Sequence, residues 1–309
     1  MMLICELETF DGGHAELNAA VIATARAASP EDPVYFLAAK RHSSAVSSEL
    51  AQYRISNVRF EILPDPPKGG RLSKHWYIIS TVRSVFRLFR KLGCSQLLVC
   101  GLHQELHNYL LILMPNWFEG PCCGLVHRGN YLVSRTHATC SDWLKTGAIR
   151  FLTKKKLRVV VLAPTVARFL TEHLTHTGVE IKWIYHPYLF DDKIEKQSLY
   201  KKPINFVFLG RTSKGKGFDV FCRLANQISN AFPAQDVAFT LVGGLRKIPK
   251  EYSENGPVHV ATPTYRLTRD DFSRHLQKAS YLVMPYMTAV YGKMKTTGIF
   301  FDIFLLIFI

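Results

Sequence analysis

Short runs of aliphatic and β-branched residues alternate along this sequence with longer segments whose apolar residues recur at helical spacing. Alternation of this kind is typical of parallel sheets, in which a helix connects each strand to the next. The first half of the chain has such runs at residues 3–7, 34–38, 58–63, 96–100, 123–127 and 159–163. Helical patterns lie between them, at residues 15–28, 74–92, 103–114, 143–155 and 165–176. We therefore expect this half to form one doubly wound α/β domain.

A second series of the same kind follows in the second half of the chain. Its strand and helix patterns lie at residues 205–209, 217–231, 238–242, 269–278 and 281–284. A further strand would end at Ile184-Tyr185-His186-Pro187, where the proline stops it, and the polar run 191–202 separates the two series. The sequence thus predicts an α/β fold of two doubly wound, Rossmann-like domains, residues 1–186 and residues 187–309.

The chain is strongly basic, because its 309 residues include 39 Lys and Arg against 24 Asp and Glu, a formal net charge of +15. Such an excess favours an anionic partner, which could be a phosphate, an acidic lipid surface or nucleic acid. The basic residues are scattered, and we find no aromatic ribonucleoprotein motif, zinc finger or helix-turn-helix pattern. A specific nucleic-acid partner is therefore not expected.

Cysteine usage and the N-terminus both favour a cytoplasmic location. The seven cysteines are odd in number and contain no C-x-x-C pair, so neither a disulfide framework nor a metal site is expected. Cys5, Cys100 and Cys222 fall in apolar runs and are expected to be buried. Near the N-terminus, acidic residues stand where a signal peptide would carry Lys or Arg. The most apolar segment, 299–309, is about half as long as the roughly 20 residues that span a bilayer.

The segment 71–91 combines helical spacing with a high density of positive charge. Its apolar and basic residues alternate as Val82, Arg83, Val85, Phe86, Arg87, Phe89, Arg90 and Lys91. Two interpretations remain open for this amphipathic basic helix. It packs on its own sheet with a solvated cationic face, or it also docks on an anionic membrane.

The most informative segment runs from residue 204 to residue 221 and reads I-N-F-V-F-L-G-R-T-S-K-G-K-G-F-D-V-F. A buried strand leads here into a glycine-rich basic turn and then into a helix. Gly210 and the glycines after it allow tight backbone geometry, the helix N-terminus presents free N–H groups, and Arg211 and Lys216 supply positive charge. This combination predicts a site for a nucleotide diphosphate.

The pattern G-R-x-x-x-x-K-G-F-D in this turn resembles the signature of the group 1 glycosyltransferases, which have the GT-B fold. The resemblance implies that the two Rossmann-like domains face a cleft. The resemblance implies that Arg211 and Lys216 grip the donor diphosphate and stabilise the leaving nucleotide without a metal ion. It also implies that no cofactor takes part and that the donor substrate is a nucleotide sugar such as a UDP- or GDP-sugar.

Two further sites in the first domain are similar to features of that family. The turn Asp11-Gly12-Gly13-His14-Ala15-Glu16 follows the first strand. The resemblance implies that Gly12 and Gly13 lie near the donor phosphates and that His14 or Glu16 meets a sugar hydroxyl. At the end of the strand 123–126, His127 would contact the donor sugar and belong to the catalytic group, although not as general base. Arg128 beside it could meet an acceptor phosphate or carboxylate.

The second domain keeps the order of the remaining family motifs. Residues 239–244, F-T-L-V-G-G, resemble the strand and turn that hold the donor nucleotide, which makes Gly243 a donor-site residue. The two glutamates that many members carry after the last strand are absent. In a variant of that loop Tyr291, Thr297 and Gly298 would fit, with Thr297 and Gly298 contacting the donor phosphates and Asp302 replacing the ribose-binding acid.

The resemblance also implies further helices after residue 309, so we expect a C-terminally truncated chain. The leading expectation is a retaining, metal-independent hexosyltransferase for a glycan or lipid-linked acceptor in cell-surface polysaccharide or lipopolysaccharide biosynthesis, located in the cytoplasm with peripheral contact to the inner membrane face. The alternatives are an inactive nucleotide- or membrane-binding protein and a sugar-nucleotide epimerase or phosphorylase on the same fold.

Overall fold

The computed structural model of the chain describes residues 1–7, 14–65, 67, 71–102, 104–126, 157–174, 180–189, 202–245, 248–261 and 269–287. The chain divides into two compact units, with Met1–Leu189 in the first and Phe190–Gly292 in the second. In both units the described strands pair in parallel.

The first unit is a parallel sheet with helical connections. Its elements are β1 (Met2–Glu6), α1 (Ala15–Ala28), β2 (Val34–Ala39), α2 (Lys40–Gln52), β3 (Val58–Leu63), α3 (Arg71–Lys91), β4 (Gln96–Cys100), α4 (Gln104–Leu113), β5 (Cys122–Val126), β6 (Leu157–Val161), α5 (Pro164–Leu174) and β7 (Ile181–Trp183). The strand order is β3-β2-β1-β4-β5-β6-β7. Because the chain proceeds outward from β1 to β3 and returns to β4, the carboxyl ends of β1 and β4 form a topological switch point.

The sheet of the first unit is buried on both faces, which explains why its central strands read as continuous apolar runs. Along β1, Leu3 and Cys5 pack in one apolar cluster, whereas Ile4 packs in a second cluster on the opposite face. The register places Cys5 opposite Leu37 of β2 and opposite Val99 of β4. Cys5, like Cys100, is fully buried as predicted.

The second unit has a smaller sheet of the same kind. Its elements are β8 (Ile204–Leu209), a 3-10 turn (Lys214–Lys216), α6 (Phe218–Ala231), β9 (Val237–Val242), β10 (Val258–Val260), α7 (Arg269–Gln277) and β11 (Tyr281–Leu282), with the strand order β10-β9-β8-β11. Four aromatic rings fill one side of the core: Phe208, Phe218, Phe221 and Phe239. Each is almost fully buried, and burial of such a side chain stabilises the fold by about 1.5–3 kcal/mol. Cys222 is buried beside them, as predicted.

Most of the expected elements are present with boundaries shifted by a few residues. The elements α2 and β10 were not predicted, the strand expected before Pro187 is β7 and ends at Trp183, and the helix expected at 143–155 lies outside the described residues. The amphipathic character of α3 is confirmed, because Val82 and Val85 are fully buried while Arg83 and Arg87 are exposed. No helix within the described ranges is both long enough and apolar enough to cross a membrane.

Candidate functional site

The candidate site lies at the topological switch point of the second unit. Strand β8 is central, with β9 on one side and β11 on the other, and β11 pairs with it through Tyr281 opposite Phe206. In open parallel sheets, ligands bind at the carboxyl ends of two such neighbouring strands. The segment 210–217 follows β8, and the segment 283–287 follows β11. These two segments build the site.

Two glycines bring the backbones after β8 and β9 into direct contact. Gly210 N–H donates to the carbonyl of Val242 (2.8 Å), and Thr212 N–H donates to the carbonyl of Gly244 (3.1 Å). Gly243 has a φ of +146°, and a Cβ atom at this position would lie 2.4 Å from the carbonyl oxygen of Gly210. Only glycine fits such an approach. The predicted donor-site residues Gly210 and Gly243 therefore lie side by side.

The turn between β8 and α6 is closed by Gly217. Lys216 N–H donates to the carbonyl of Ser213 (3.1 Å), which forms the 3-10 turn, and Gly217 then adopts a φ of +70°. A Cβ atom on Gly217 would lie 2.1 Å from the carbonyl oxygen of Pro285. The turn thus packs directly against the segment after β11, and this packing requires glycine.

The segment after β11 holds the turn and contacts its lysine. Met287 N–H donates to the carbonyl of Gly215 (3.0 Å), and Tyr286 N–H donates to that of Met284 (2.8 Å). The ammonium group of Lys216 lies 5.7 Å from the centroid of the Tyr286 ring, within the range of a cation–π interaction. Lys216 is consequently held between its own turn and the tyrosine.

The charge of Lys216 is sensitive to its surroundings. Burial, and in addition the positive charge of Arg211, lower the pKa of Lys216 from 10.5 to about 8. A bound anion would favour the charged form and raise this pKa again. Arg211 itself is exposed, immediately after Gly210. The site therefore brings together two cations that repel each other, and a bound anion would relieve this repulsion.

Helix α6 adds its positive end to this arrangement. Its N-cap is Gly217, and no side chain in the described part of the chain donates or accepts a capping hydrogen bond there. The first intrahelical hydrogen bond at this end runs from Phe221 N–H to the carbonyl of Gly217 (3.1 Å). The amides that precede Phe221 point along the helix axis toward the turn, as the first amides of any helix do. Together with Lys216 and Arg211 they can bind phosphate oxygens.

The first unit positions two of the predicted residues at the N-terminus of α1. His14 is the N-cap residue, is exposed and has a φ of +66°, and Glu16 lies in the first turn. His14 also lies close enough to His186 for their charges to interact. Burial lowers the pKa of His186, a hydrogen bond with the Pro187 carbonyl (3.1 Å) raises it, and His14 lowers it further.

Several predicted site residues lie outside the described residues: Gly12, Gly13, His127, Arg128, Tyr291, Thr297, Gly298 and Asp302. Their roles therefore stay predictions. Of the predicted residues that the structure describes, Gly210, Arg211, Lys216 and Gly243 come together at one site.

Sequence reasoning missed two features at the carboxyl ends of the strands. The first is Tyr286, whose ring faces Lys216. The sequence signal for it was an aromatic residue directly after the Met-Pro pair that closes the last expected strand. The second is a buried polar cluster at the carboxyl end of β1, in which Asn18 Nδ2 lies 3.2 Å from Glu6 Oε2 and 2.8 Å from His42 Nε2. All three side chains are at most 1% exposed. The carboxylate of Glu6 also packs against Gly101, where a Cβ atom would lie 2.9 Å from Glu6 Oε1 and the carboxylate would have to shift.

No family model and no curated protein matches the sequence of this chain. Solved structures do match its fold. Sucrose-phosphate synthase from Thermosynechococcus elongatus aligns with a TM-score of 0.58 and 13% identity, over 93% of this chain and 76% of that one. UDP-GlcNAc 2-epimerase from Neisseria meningitidis, bound to UDP-GlcNAc, aligns with a TM-score of 0.54 and 13% identity, over 91% and 76%. A glycosyltransferase from Rickettsia africae aligns with a TM-score of 0.51 and 10% identity, over 79% and 60%.

These similarities, with the two parallel α/β units, confirm the expected fold class of two Rossmann-like domains, the GT-B fold. At such low identity they establish the fold alone. The chain spans 60% of the Rickettsia protein and 64% of the Arabidopsis thaliana protein UGT89C1, less than two thirds of either.

Proposed function

We propose that the chain is a glycosyltransferase that uses a nucleotide-sugar donor and binds the donor diphosphate at the turn between β8 and α6. The observation that carries this proposal is the placement of Lys216. It lies at the switch point of the second unit, beside Arg211, at the N-terminus of α6 and against the Tyr286 ring. Burial and the charge of Arg211 lower its pKa to about 8, and a bound anion would raise this pKa again.

The chemistry of this arrangement suits departure of a nucleoside diphosphate. When the bond between the sugar and the diphosphate breaks, negative charge develops on the leaving phosphate oxygen. Lys216 and Arg211 would stabilise that charge, with the amides at the start of α6 as further donors. Because Lys216 is partly buried and fixed by its neighbours, its charge acts with little reorganisation. In this proposal the two side chains supply the positive charge, so transfer is metal-independent; retention of configuration rests on the resemblance to the group 1 enzymes.

The backbone around the turn would admit the nucleotide. Gly210 and Gly243 let the backbones after β8 and β9 approach each other at the carboxyl ends of these strands, where the nucleotide would bind. We extend the donor site to Gly12, Gly13, Thr297 and Gly298 as predictions from the resemblance. In the same proposal, residues 187–309 form the donor-binding domain.

The acceptor side is assigned to residues 1–186. His127 would contact the donor sugar, and His14, Glu16 and Arg128 would contact the acceptor. His14 and Glu16 are supported by their position at the N-terminal end of α1, close to the switch point formed by β1 and β4. We propose a glycan or lipid-linked acceptor in cell-surface polysaccharide biosynthesis and hexosyl transfer at the cytoplasmic side of the membrane.

A second candidate is supported by one specific similarity. The epimerase from Neisseria meningitidis has the same fold with a TM-score of 0.54, and its structure holds UDP-GlcNAc. A phosphate-binding turn serves an epimerase as well as a transferase, because both must stabilise a nucleotide diphosphate. The two candidates differ in their products.

Product analysis separates these candidates. The full chain is incubated with UDP- and GDP-sugars, with and without a membrane lipid extract or glycan acceptors, and the products are analysed by mass spectrometry and proton NMR. We expect nucleoside diphosphate and a glycoside whose amount depends on acceptor. A nucleotide sugar converted to its epimer without acceptor would identify the epimerase. Saturable nucleotide binding with no product under any condition would identify the inactive binding protein.

A further inference from the structure

A basic groove lies on the first unit between α3 and the segment that follows α4. Its volume is about 620 Å³, and its lining includes Arg83, Arg87, Arg90, Lys91, Leu113 and Trp117. This groove involves none of the residues of the candidate donor site. The surface is therefore a separate feature of the molecule.

Aromatic packing fixes one wall of the groove. Phe118 packs against the buried side of α3, with ring centroids 5.3 Å from Phe86 and 4.9 Å from Phe89. This contact anchors the segment after α4, and the preceding residue, Trp117, remains 42% exposed. The guanidinium group of Arg90 lies 5.4 Å from the centroid of the Trp117 ring, in cation–π geometry. The exposed aromatic ring and the basic helix thus form one surface.

Within the described part of the chain, no acidic side chain pairs with the cations of the groove. These four cations are Arg83, Arg87, Arg90 and Lys91. All four are exposed. Four like charges within three turns of one helix repel one another, and an anionic partner would relieve this repulsion.

A second exposed tryptophan lies on the same face of α3, nearer the N-terminal end of the helix. Trp76 precedes Arg83 by seven residues and Arg87 by eleven, spacings that place the three side chains on one stripe of the helix. Trp76 is 67% exposed. Indole rings at the edge of a cationic helix face are typical of surfaces that meet the headgroup region of a bilayer.

We propose that the basic groove and this face of α3 dock the protein on a membrane surface that contains anionic phospholipids. Each Lys or Arg near such a surface strengthens binding about fivefold, and the exposed indoles enter the headgroup region. A membrane surface fits better than a soluble phosphate because the cations and both tryptophans extend along the 21 residues of α3 and beyond it. This proposal is independent of sugar transfer by the second unit.

Vesicle sedimentation of the full chain tests the proposal. The vesicles consist of phosphatidylcholine alone or of phosphatidylcholine mixed with phosphatidylglycerol. We expect binding to the mixed vesicles only, lost at high salt. The double variant Arg83→Gln/Arg87→Gln leaves the Arg90–Trp117 pair in place and should weaken partitioning roughly 30-fold, since two cations near the surface are removed. Trp117→Ala should also weaken it.

A matched control keeps the change in net charge equal. Arg168→Gln/Lys250→Gln removes two exposed cations that do not line the groove. It should bind mixed vesicles like the wild type, and thermal melting should show that all variants remain folded. If both double variants lost vesicle binding equally, net charge alone would explain the binding, and the proposal would be overturned.

Two other outcomes also contradict a membrane partner. One is equal binding of the wild type to neutral and mixed vesicles. The other is absence of vesicle binding together with groove-dependent binding of dispersed glycerol phosphate or of an oligonucleotide, which would identify a soluble phosphate compound or a nucleic acid as the occupant. Binding restricted to mixed vesicles and sensitive to Arg83, Arg87 and Trp117 supports the proposal.

Discussion

Lys216 and Tyr286 face each other at the carboxyl ends of β8 and β11, with the lysine ammonium 5.7 Å from the centroid of the tyrosine ring. The two residues are 70 positions apart in the sequence. Parallel pairing of β8 with β11 brings them together. The contact holds a partly buried cation in the turn that precedes α6, and the following predictions test this arrangement.

The ring of Tyr286 should contribute to nucleotide affinity through its face rather than its hydroxyl group. Tyr286→Ala removes the ring, and we expect UDP or GDP affinity to fall about two- to fivefold, as a cation–π contact is worth about 0.5–1 kcal/mol. Tyr286→Phe keeps the ring and should lose less. Calorimetric titration measures both. Equal losses in the two variants would show that the ring face has no role.

Nucleotide affinity should decrease as pH rises through about 8, where Lys216 of the free protein loses its proton. The charged form binds phosphate, so the dissociation constant should increase about tenfold between about pH 7 and about pH 9. Lys216→Arg should abolish this dependence, because arginine stays protonated throughout. A wild-type dissociation constant that is constant over this range would contradict the lowered pKa of Lys216.

Gly217→Ala should destabilise the protein by more than backbone strain alone. A left-handed conformation costs a non-glycine residue about 1–2 kcal/mol. Gly93 provides the control, since its φ of +64° is similar to that of Gly217, but a Cβ atom there would meet only Met1 Cε at 3.8 Å. In denaturant unfolding, Gly217→Ala should lower the free energy of unfolding by at least about 1 kcal/mol more than Gly93→Ala. Similar losses would show that Pro285 is not in close contact.

The buried cluster at the end of β1 should be essential for stability. Asn18→Ala removes the amide that contacts both Glu6 and His42, and two buried polar groups then lose a partner. We expect a loss of about 1–3 kcal/mol in the free energy of unfolding. Asn226→Ala is the control, because Asn226 is exposed and makes one long hydrogen bond of 3.4 Å to the Glu251 carbonyl. It should cost less than about 0.5 kcal/mol.

Much of the fold could be predicted because buried parallel strands leave a strong pattern. The runs at β1, β2 and β8 are almost entirely apolar, and helices α1, α3 and α6 have one apolar face. Helix α2 was missed because Val46 and Leu50 are its main apolar anchors among many polar residues. Strand β10 has three residues, too few to show a period.

The part of the candidate site that lies within one turn could also be predicted. Gly210, Arg211 and Lys216 belong to one turn, so their proximity follows from the sequence alone. The contacts of that turn with Gly243, Pro285 and Tyr286 depend on which strands are neighbours, and strand order leaves no local signal. The Glu6–Asn18–His42 cluster was missed for the same reason, since it joins one strand and two helices.

The most direct test of the central claim is calorimetric binding of UDP and GDP to the wild-type chain, to Lys216→Ala and to Lys250→Ala, an exposed lysine of the same unit. We predict saturable binding of one nucleotide by the wild type and by Lys250→Ala. Loss of the charged hydrogen bond in Lys216→Ala should weaken binding about 10- to 100-fold. Equal affinity in all three proteins, or no binding by the wild type, would contradict a donor site at the turn between β8 and α6.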